Sequence, residues 1–283
     1  MKIIMENILY ALLVFEIIVF MYLIYFRRNR PKCKCGAECS CMRMIDISEG
    51  FYSNATPNIK SVHAINLDKD TERWEVLIKS ANAANVTIER WPATYGKDIP
   101  YEKFRELGVG HAMVRPDRHD TTHKNLVNLG IVGCFISTRR LLTHLSEQYF
   151  SDSDGHLILD DDVHIPTDFL SQWEKKRELI PSDWDIVYMG VWNITGDNVA
   201  PGIKKLHSSL GRSGEPNVGT FAYVVRHGAI KPKILPWLRY MIDAIDEQLV
   251  LKFDEINAYG IEDHMIHINR EMNNTSSIDE ING

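Results

Sequence analysis

The segment His156-Leu-Ile-Leu-Asp160-Asp161-Asp162-Val163 constrains this chain more than any other. An apolar run this short, apolar at every position, reads as a strand buried on both faces. Three adjacent carboxylates close it. Like charges this near raise one another's pKa unless a cation joins them. Side chains alternate along an extended strand, so Asp160 and Asp162 are expected to point the same way. Such a pair suits Mg²⁺ or Mn²⁺, hard ions that prefer carboxylate oxygen and also bind substrate phosphates. A solvated acidic turn after a core strand is the plainer alternative. A haloacid-dehalogenase-type phosphatase also places D-x-D after an apolar strand. That pattern continues with Gly-Thr near the start of its domain, whereas here Val163-His164 follows and about 100 residues precede it.

The surrounding text alternates between strand-like and helix-like runs. Val62–Leu67 reads as a strand, Thr71–Ala84 as a helix with Trp74, Leu77, Ile78 and Ala81 on one face, and Val86–Trp91 as a second strand. Tyr95 to Asn125 reads as a long loop. Ile131–Leu145 and Phe169–Leu179 read as helices, Ile186–Met189 and Phe221–Val225 as strands, and Pro236–Lys252 as a long helix. This alternation predicts an α/β fold with a mainly parallel sheet covered on both faces. Ligands of such sheets bind beyond the carboxyl ends of the strands.

Ahead of this domain lies Ile8–Phe26, nearly all apolar, with Glu16 its one charge. That length suits a spanning helix. Its thirteen Leu, Ile, Val and Phe residues outweigh one acid on an insertion scale. We expect residues 1–7 as a short flank, 8–26 as a single-pass transmembrane anchor, and 27–58 as a basic, Cys-rich stem. A domain over 59–268 and a polar tail over 269–283 complete the expected plan. Arg27, Arg28, Arg30, Lys32 and Lys34 follow the span and place the domain in the cytosol by charge bias. Sequons at Asn54, Asn85, Asn193, Asn273 and Asn274 keep a luminal placement as the alternative. Cys33, Cys35, Cys39 and Cys41 suit palmitoylation, a metal or interchain links; Cys134 reads as a small core residue. With one cysteine in the domain, no disulfide framework is expected. A net charge of −6 argues against a nucleic-acid partner.

Seven segments, in order, resemble glycosyltransferase family 25, the lipooligosaccharide and procollagen galactosyltransferase type. His63–Arg73 is similar to I-N-L-D-x-x-x-x-R. Ile88–Gly96 is similar to the stretch ending A-x-x-G, and Leu129–Ser137 to G-E-I-G-C-x-x-S-H. Leu159–Val163 is similar to L-E-D-D-V. Asp183–Gly190, Thr220–Tyr223 and Ala244–Glu247 (P-V-D-E) complete the set, which spans residues 62 to 250. The chain departs from the pattern at Thr138, Asp160 and Gly130-Ile131, where His, Glu and Gly-Glu are usual. The resemblance implies a GT-A (Rossmann-like) nucleotide-sugar transferase domain, a divalent metal such as Mn²⁺ or Mg²⁺, a UDP-sugar donor and inversion. It implies a glycan or protein (hydroxylysine-type) acceptor, with galactose or glucose as the sugar moved.

Candidate roles follow. Asp160 and Asp162 are metal ligands, with His264 as a third. Asn66, Asp68, Arg73 and Asp161 lie where a nucleotide approaches, and Arg73 is placed to pair with a phosphate or to orient the base. Gly130 and Gly133 would admit a ligand to the backbone or, alternatively, pack a helix tightly; Ser137 follows on the same segment. Asp246 is the first choice for the base, with Glu247 its neighbour and Asp263 its competitor. Trp184, Tyr188 and Trp192 read as core aromatics, with stacking on sugar or base as the other reading. A binding protein that kept the fold and lost catalysis is the non-enzymatic alternative.

Overall fold

The computed structural model describes residues 56–110, 128–209 and 217–269. They lie within one compact unit, Phe51–Gly283. The expected anchor 8–26, the cysteine cluster of the stem and the tail from residue 270 fall outside the described residues. Among the described residues no helix is long and apolar enough to cross a membrane.

Eight strands form the central sheet. They are β1 (Asn58–Asn66), β2 (Glu89–Pro92), β3 (Asp154–Asp160), β5 (Ile186–Gly190), β6 (Gly196–Ala200), β7 (Ile203–Leu206), β8 (Ala222–Arg226) and β9 (Ala258–Ile261). A small pair, β4 (Val163–His164) and β10 (His267–Ile268), stands apart. The order is β2-β1-β3-β8-β5-β9-β7-β6. Four helices pack on it: α1 (Thr71–Ala83), α2 (Leu129–Ser146), α3 (Phe169–Arg177) and α4 (Ile245–Val250).

The apolar run before the aspartates is a central strand, as its composition predicts. Leu157 and Leu159 face the layer that holds Leu77 of α1 and Trp173 of α3. Ile158 faces the opposite layer, with Phe135 of α2 and Leu249 of α4. Each fully buried side chain of this size contributes roughly 1.5–3 kcal/mol, which fixes the register of β3 against β1. A side-chain cap starts α2: Asn128 Oδ1 accepts the Ile131 N–H at 2.9 Å.

Two expectations are corrected. The sheet is mixed, not mainly parallel. β1 pairs parallel with β2 and β3, and β5 with β9, but β8 lies antiparallel between β3 and β5. The β6–β7 hairpin adds further antiparallel pairing. Runs buried on both faces look alike whichever way they pair. The long helix over Pro236–Lys252 is likewise absent. A π-turn at Ile230–Ile234, a 3₁₀ turn at Trp237–Arg239 and the short α4 take its place. Gln248, fully buried, causes the break. Its amide donates to Trp237 O and Tyr240 O, and its oxygen accepts the Ile242 N–H. One side chain thereby satisfies the backbone groups that a continuous helix would have paired.

At the end of the sheet away from the aspartates, three histidines and a serine form a chain. His63 Nε2 meets Ser61 Oγ at 2.8 Å, Ser61 Oγ meets His156 Nδ1 at 2.8 Å, and His156 Nε2 meets His227 Nδ1 at 3.1 Å. Burial, then His227 and His63, push His156 down to about 4, while Asp154 pulls weakly upward. Burial also lowers His63, against Glu89 at 3.6 Å, with His144 adding to the lowering. The folded chain therefore binds these protons less readily than the unfolded chain, whose histidines titrate near 6.5. The stability is present above about pH 6.5 and is lost as the pH falls towards 4. In urea melts, acidification from pH 7 to pH 4.5 should cost the parent about 2–3 kcal/mol more than it costs His156→Leu, the raised carboxyls near Asp160 acting alike in both. An unchanged pH dependence in the variant would show that the chain does not set it.

Candidate functional site

β1 and β3 run parallel with Ile65 opposite Asp160, so their carboxyl ends reach the same edge of the sheet. An open pocket lies there, where ligands of such sheets bind. Its walls come from the β1–α1 connection (Leu67, Asp70), Arg73 of α1, the loop after β2 (Ala93–Gly96), the first turns of α2 (Gly130, Cys134, Ser137) and Asp160, Asp161 and Asp162.

The strand stops at Asp160, and Asp161-Asp162 form a turn before β4. Simple alternation therefore fails at this point, and all three aspartates line the pocket. They differ in their partners. Asp161 is buried and doubly held: Arg73 Nη1 donates to its Oδ1 at 2.6 Å and Asn66 Nδ2 to its Oδ2 at 2.8 Å. Burial still pushes it up to about 6, against Arg73 and the Asn66 amide. Asp162 Oδ2 accepts from Arg73 Nη2 at 3.0 Å. Asp160 makes no side-chain hydrogen bond or ion pair among the described residues. Burial, then Asp162, Asp161 and Asp246, drive its pKa well above the carboxylate range, with Arg73 opposing.

Arg73 lines the pocket with its guanidinium held by carboxylates. Read from sequence as a phosphate partner, it bridges Asp161 and Asp162 and so braces the turn. Asn66 extends the brace: its Oδ1 accepts from Arg90 Nε at 2.7 Å and its amide also donates to Asp70 O. Asp68 does not reach the pocket; it is largely exposed and paired with Arg90 at 2.8 Å.

The two glycines part ways. Gly130 lines the pocket. Gly133 serves packing, the alternative reading: a Cβ there would come within 2.6 Å of Thr94 O and 2.9 Å of Gly96 N. Ser137 fixes the same loop, accepting the Thr94 N–H at 2.8 Å and donating to Gly133 O at 2.6 Å. Cys134 is more than a core residue, since it also forms part of the wall. Its thiol stays protonated, because burial, Asp160 and Asp246 all push its pKa upward.

Asp246 stands in the first turn of α4, and its Oδ2 accepts the Gly219 N–H at 3.0 Å. It is outside the pocket wall but close enough to raise the pKa of Asp160 and Cys134. Burial raises its own pKa, against three backbone N–H groups. Glu247 follows it in the same turn and does not line the pocket. Asp263 lies apart, 90% exposed and 3.6 Å from Lys176. His264 packs by Phe221 and His267, with ring centroids 6.3 and 6.5 Å away. Among the described residues no three His, Cys, Asp or Glu side chains form a metal-holding group, so His264 does not complete one with Asp160 and Asp162.

The remaining donor set nevertheless fits a hard divalent ion. Asp160 is a half-buried carboxylate without an ion-pair partner among the described residues, next to Asp162 and open to the pocket. Two carboxylates suit an ion that keeps waters and takes its other oxygens from a phosphate-bearing substrate. The sequence reading missed Thr94, Tyr95 and Gly96 as wall residues. The signal was present in Pro92 followed by Ala-Thr-Tyr-Gly, a strand end running into a turn.

Fold and site together define an α/β protein with an acidic ligand pocket at the carboxyl ends of its parallel strands. In sequence the chain is similar to glycosyltransferase family 25, as its ordered motifs led us to expect. It is 25% identical over 142 residues to a glycosyltransferase 25 family member of Anopheles gambiae, covering 47% of this chain and 22% of that protein. It is 24% identical over 200 residues to one of Drosophila melanogaster, covering 70% and 31%. With procollagen galactosyltransferase 1-A of Xenopus laevis it shares 25% over 151 residues, covering 51% and 24%. The match thus takes in between a fifth and a third of the length of these relatives. No family model matches. Among solved structures, glycosyltransferase GlyE of Streptococcus pneumoniae TIGR4 aligns over 71% of this chain and 45% of its own, at 13% identity and TM-score 0.36. Galactosyltransferase LgtC, solved with donor and acceptor sugar analogs, aligns over 70% and 72%, at 14% identity and TM-score 0.36.

Proposed function

We propose that this chain is a glycosyltransferase with a GT-A-type domain, moving a hexose from a UDP-sugar to a glycan or hydroxylysine-type acceptor with inversion. The observation that carries the reading is the braced aspartate turn, with Asp160 and Asp162 open to a pocket at the strand ends. Asp160 and Asp162 would hold a Mn²⁺ or Mg²⁺ ion. When bound, that ion stabilises negative charge on the departing nucleoside diphosphate.

The chain's own residues do the rest. Arg73 and Asn66 fix the aspartate turn, so its carboxylates are oriented before substrate arrives. Gly130 and the Thr94–Gly96 loop, held by Ser137, give the donor a backbone-lined wall. Asp246 takes the acceptor hydroxyl proton as the acceptor oxygen bonds to the anomeric carbon and the bond to the diphosphate breaks. Its raised pKa suits a proton acceptor, and the Gly219 N–H holds its carboxylate in place. The apolar segment 8–26 tethers the enzyme to a membrane. Galactose and glucose are the favoured sugars by resemblance to the family.

A donor screen tests the reading: UDP release from each UDP-sugar with Mn²⁺, with and without saccharide acceptors. Acceptor-stimulated UDP release from UDP-galactose or UDP-glucose is expected. Hydrolysis of phosphate monoesters with no UDP release would replace the reading with the phosphatase alternative.

A further inference from the structure

Of the three aromatics on the segment 184–192, Trp184 and Tyr188 are fully buried, whereas Trp192 is 51% exposed. An exposed indole is ordinary on a protein surface. This one is held unusually firmly. Trp192 N–H donates to Val218 O at 2.8 Å, and Trp192 O accepts from Asn217 N–H at 3.1 Å. Asn193 and Asn217 adopt left-handed backbone angles (φ 49° and 65°) on either side of this pairing. The buried Asn217 side chain clamps Thr195 from both ends, accepting its N–H at 2.8 Å and donating to its carbonyl at 3.0 Å.

The mount also joins the indole to the Asp246 carboxylate and to the backbone of Asp160. Gly219, at φ 98°, lets the ring lie against the backbone, because a Cβ there would stand 2.5 Å from Trp192 Cδ1 and 2.9 Å from Nε1. The same glycine's N–H holds Asp246. Trp192 packs edge-on to Phe221 at 5.6 Å, and Phe221 O accepts the Asp160 N–H at 3.0 Å. One residue on each side therefore links the exposed ring to Asp246 and to Asp160.

From this geometry we infer that Trp192 is a stacking platform for a pyranose ring of the acceptor, placing its hydroxyl beside Asp246. The inference rests on the transferase reading and names the class of its second substrate. A pyranose presents a face of C–H groups that suits the negative face of an aromatic ring. A ring fixed in advance binds without an ordering cost. A saccharide acceptor satisfies this platform; a bare side-chain hydroxyl of a protein does not use it.

Two measurements on Trp192→Ala and Trp192→Phe decide the matter. With turnover, the KM for a galactoside or glucoside acceptor should rise about tenfold in Trp192→Ala, equivalent to ~1.4 kcal/mol. Trp192→Phe should recover much of it, and the KM for the UDP-sugar should stay within about twofold. Without turnover, saturation-transfer NMR with methyl β-D-galactopyranoside should show transfer to the ring C–H protons in the parent and lose it in Trp192→Ala. Equal saturation transfer in parent and Trp192→Ala overturns the platform. So does a rise in the UDP-sugar KM matching that for acceptor, which would place the donor's sugar on the indole. Absence of any transferase turnover would defeat the functional reading, while the NMR comparison still decides whether Trp192 binds a pyranose.

Discussion

Asp160→Asn should lower transfer at least about a thousand-fold while leaving the protein as stable as its parent or more stable. The substitution keeps the shape of the side chain and removes one charge from a crowded group. Asp160 has no compensating side-chain partner among the described residues, and its charge is opposed by burial and by Asp162, Asp161 and Asp246. Losing that charge relieves the repulsion. For a carboxyl whose folded pKa is raised, the ionised form costs stability at neutral pH, and the cost disappears on acidification. The amide makes the same gain permanent. Activity takes the loss, because an amide is a poor ligand for a hard cation. Initial rates with Mn²⁺ and thermal melts at pH 7 check both halves. A large fall in melting temperature would mean that Asp160 is structural rather than functional.

The opposite balance is expected for Arg73. Arg73→Met should destabilise the fold by about 3–5 kcal/mol, because it strips two buried carboxylates of their shared cation. The side chains of Arg73, Asp161 and Asp162 are 12%, 8% and 17% exposed, so solvent screens little of this loss. For a domain of this size the melting temperature should fall by about 10 °C. Arg73→Lys should recover only part, since one ammonium cannot bridge two carboxylates as a guanidinium does. Adding Asp161→Asn to Arg73→Met should restore part of the stability by removing the more buried of the two stranded charges. A loss under about 1 kcal/mol in Arg73→Met would show that the bridge behaves as a surface ion pair.

What the sequence made legible follows from which interactions are local. The strand before Asp160 announces itself, because three consecutive apolar residues, Leu157–Leu159, are followed by charges that cannot enter a core. α1 carries its own periodicity, with Trp74, Leu77, Ile78 and Ala81 on one face, whereas the Asn128 cap that starts α2 shows only in the structure. The direction of β8 was hidden, since Val224 and Val225 are buried in either pairing. The supposed helix over 236–252 misled because Trp237, Leu238, Met241, Ile245 and Leu249 keep a helical spacing. The break depends on Gln248 turning inward, which periodicity does not encode. Arg73 binds carboxylates 88 and 89 residues further along the chain, so its commitment to Asp161 and Asp162 appears only in three dimensions. Resemblance alone ranks Asp246 ahead of Asp263 as the base. The fold separates them, placing one beside Asp160 and the other in solvent by Lys176. Trp192 shares its segment with two core aromatics, and only the left-handed turns at Asn193 and Asn217 turn it outward.

The proposed transfer requires Asp160 and Asp162 to hold a divalent cation together with a nucleoside diphosphate. Mn²⁺ titration of the protein in the presence of UDP, followed by electron paramagnetic resonance of the free ion, tests it most directly. One Mn²⁺ should bind per chain in the parent and none, at the same concentrations, in Asp160→Asn or Asp162→Asn. Undiminished Mn²⁺ uptake by both variants would contradict it.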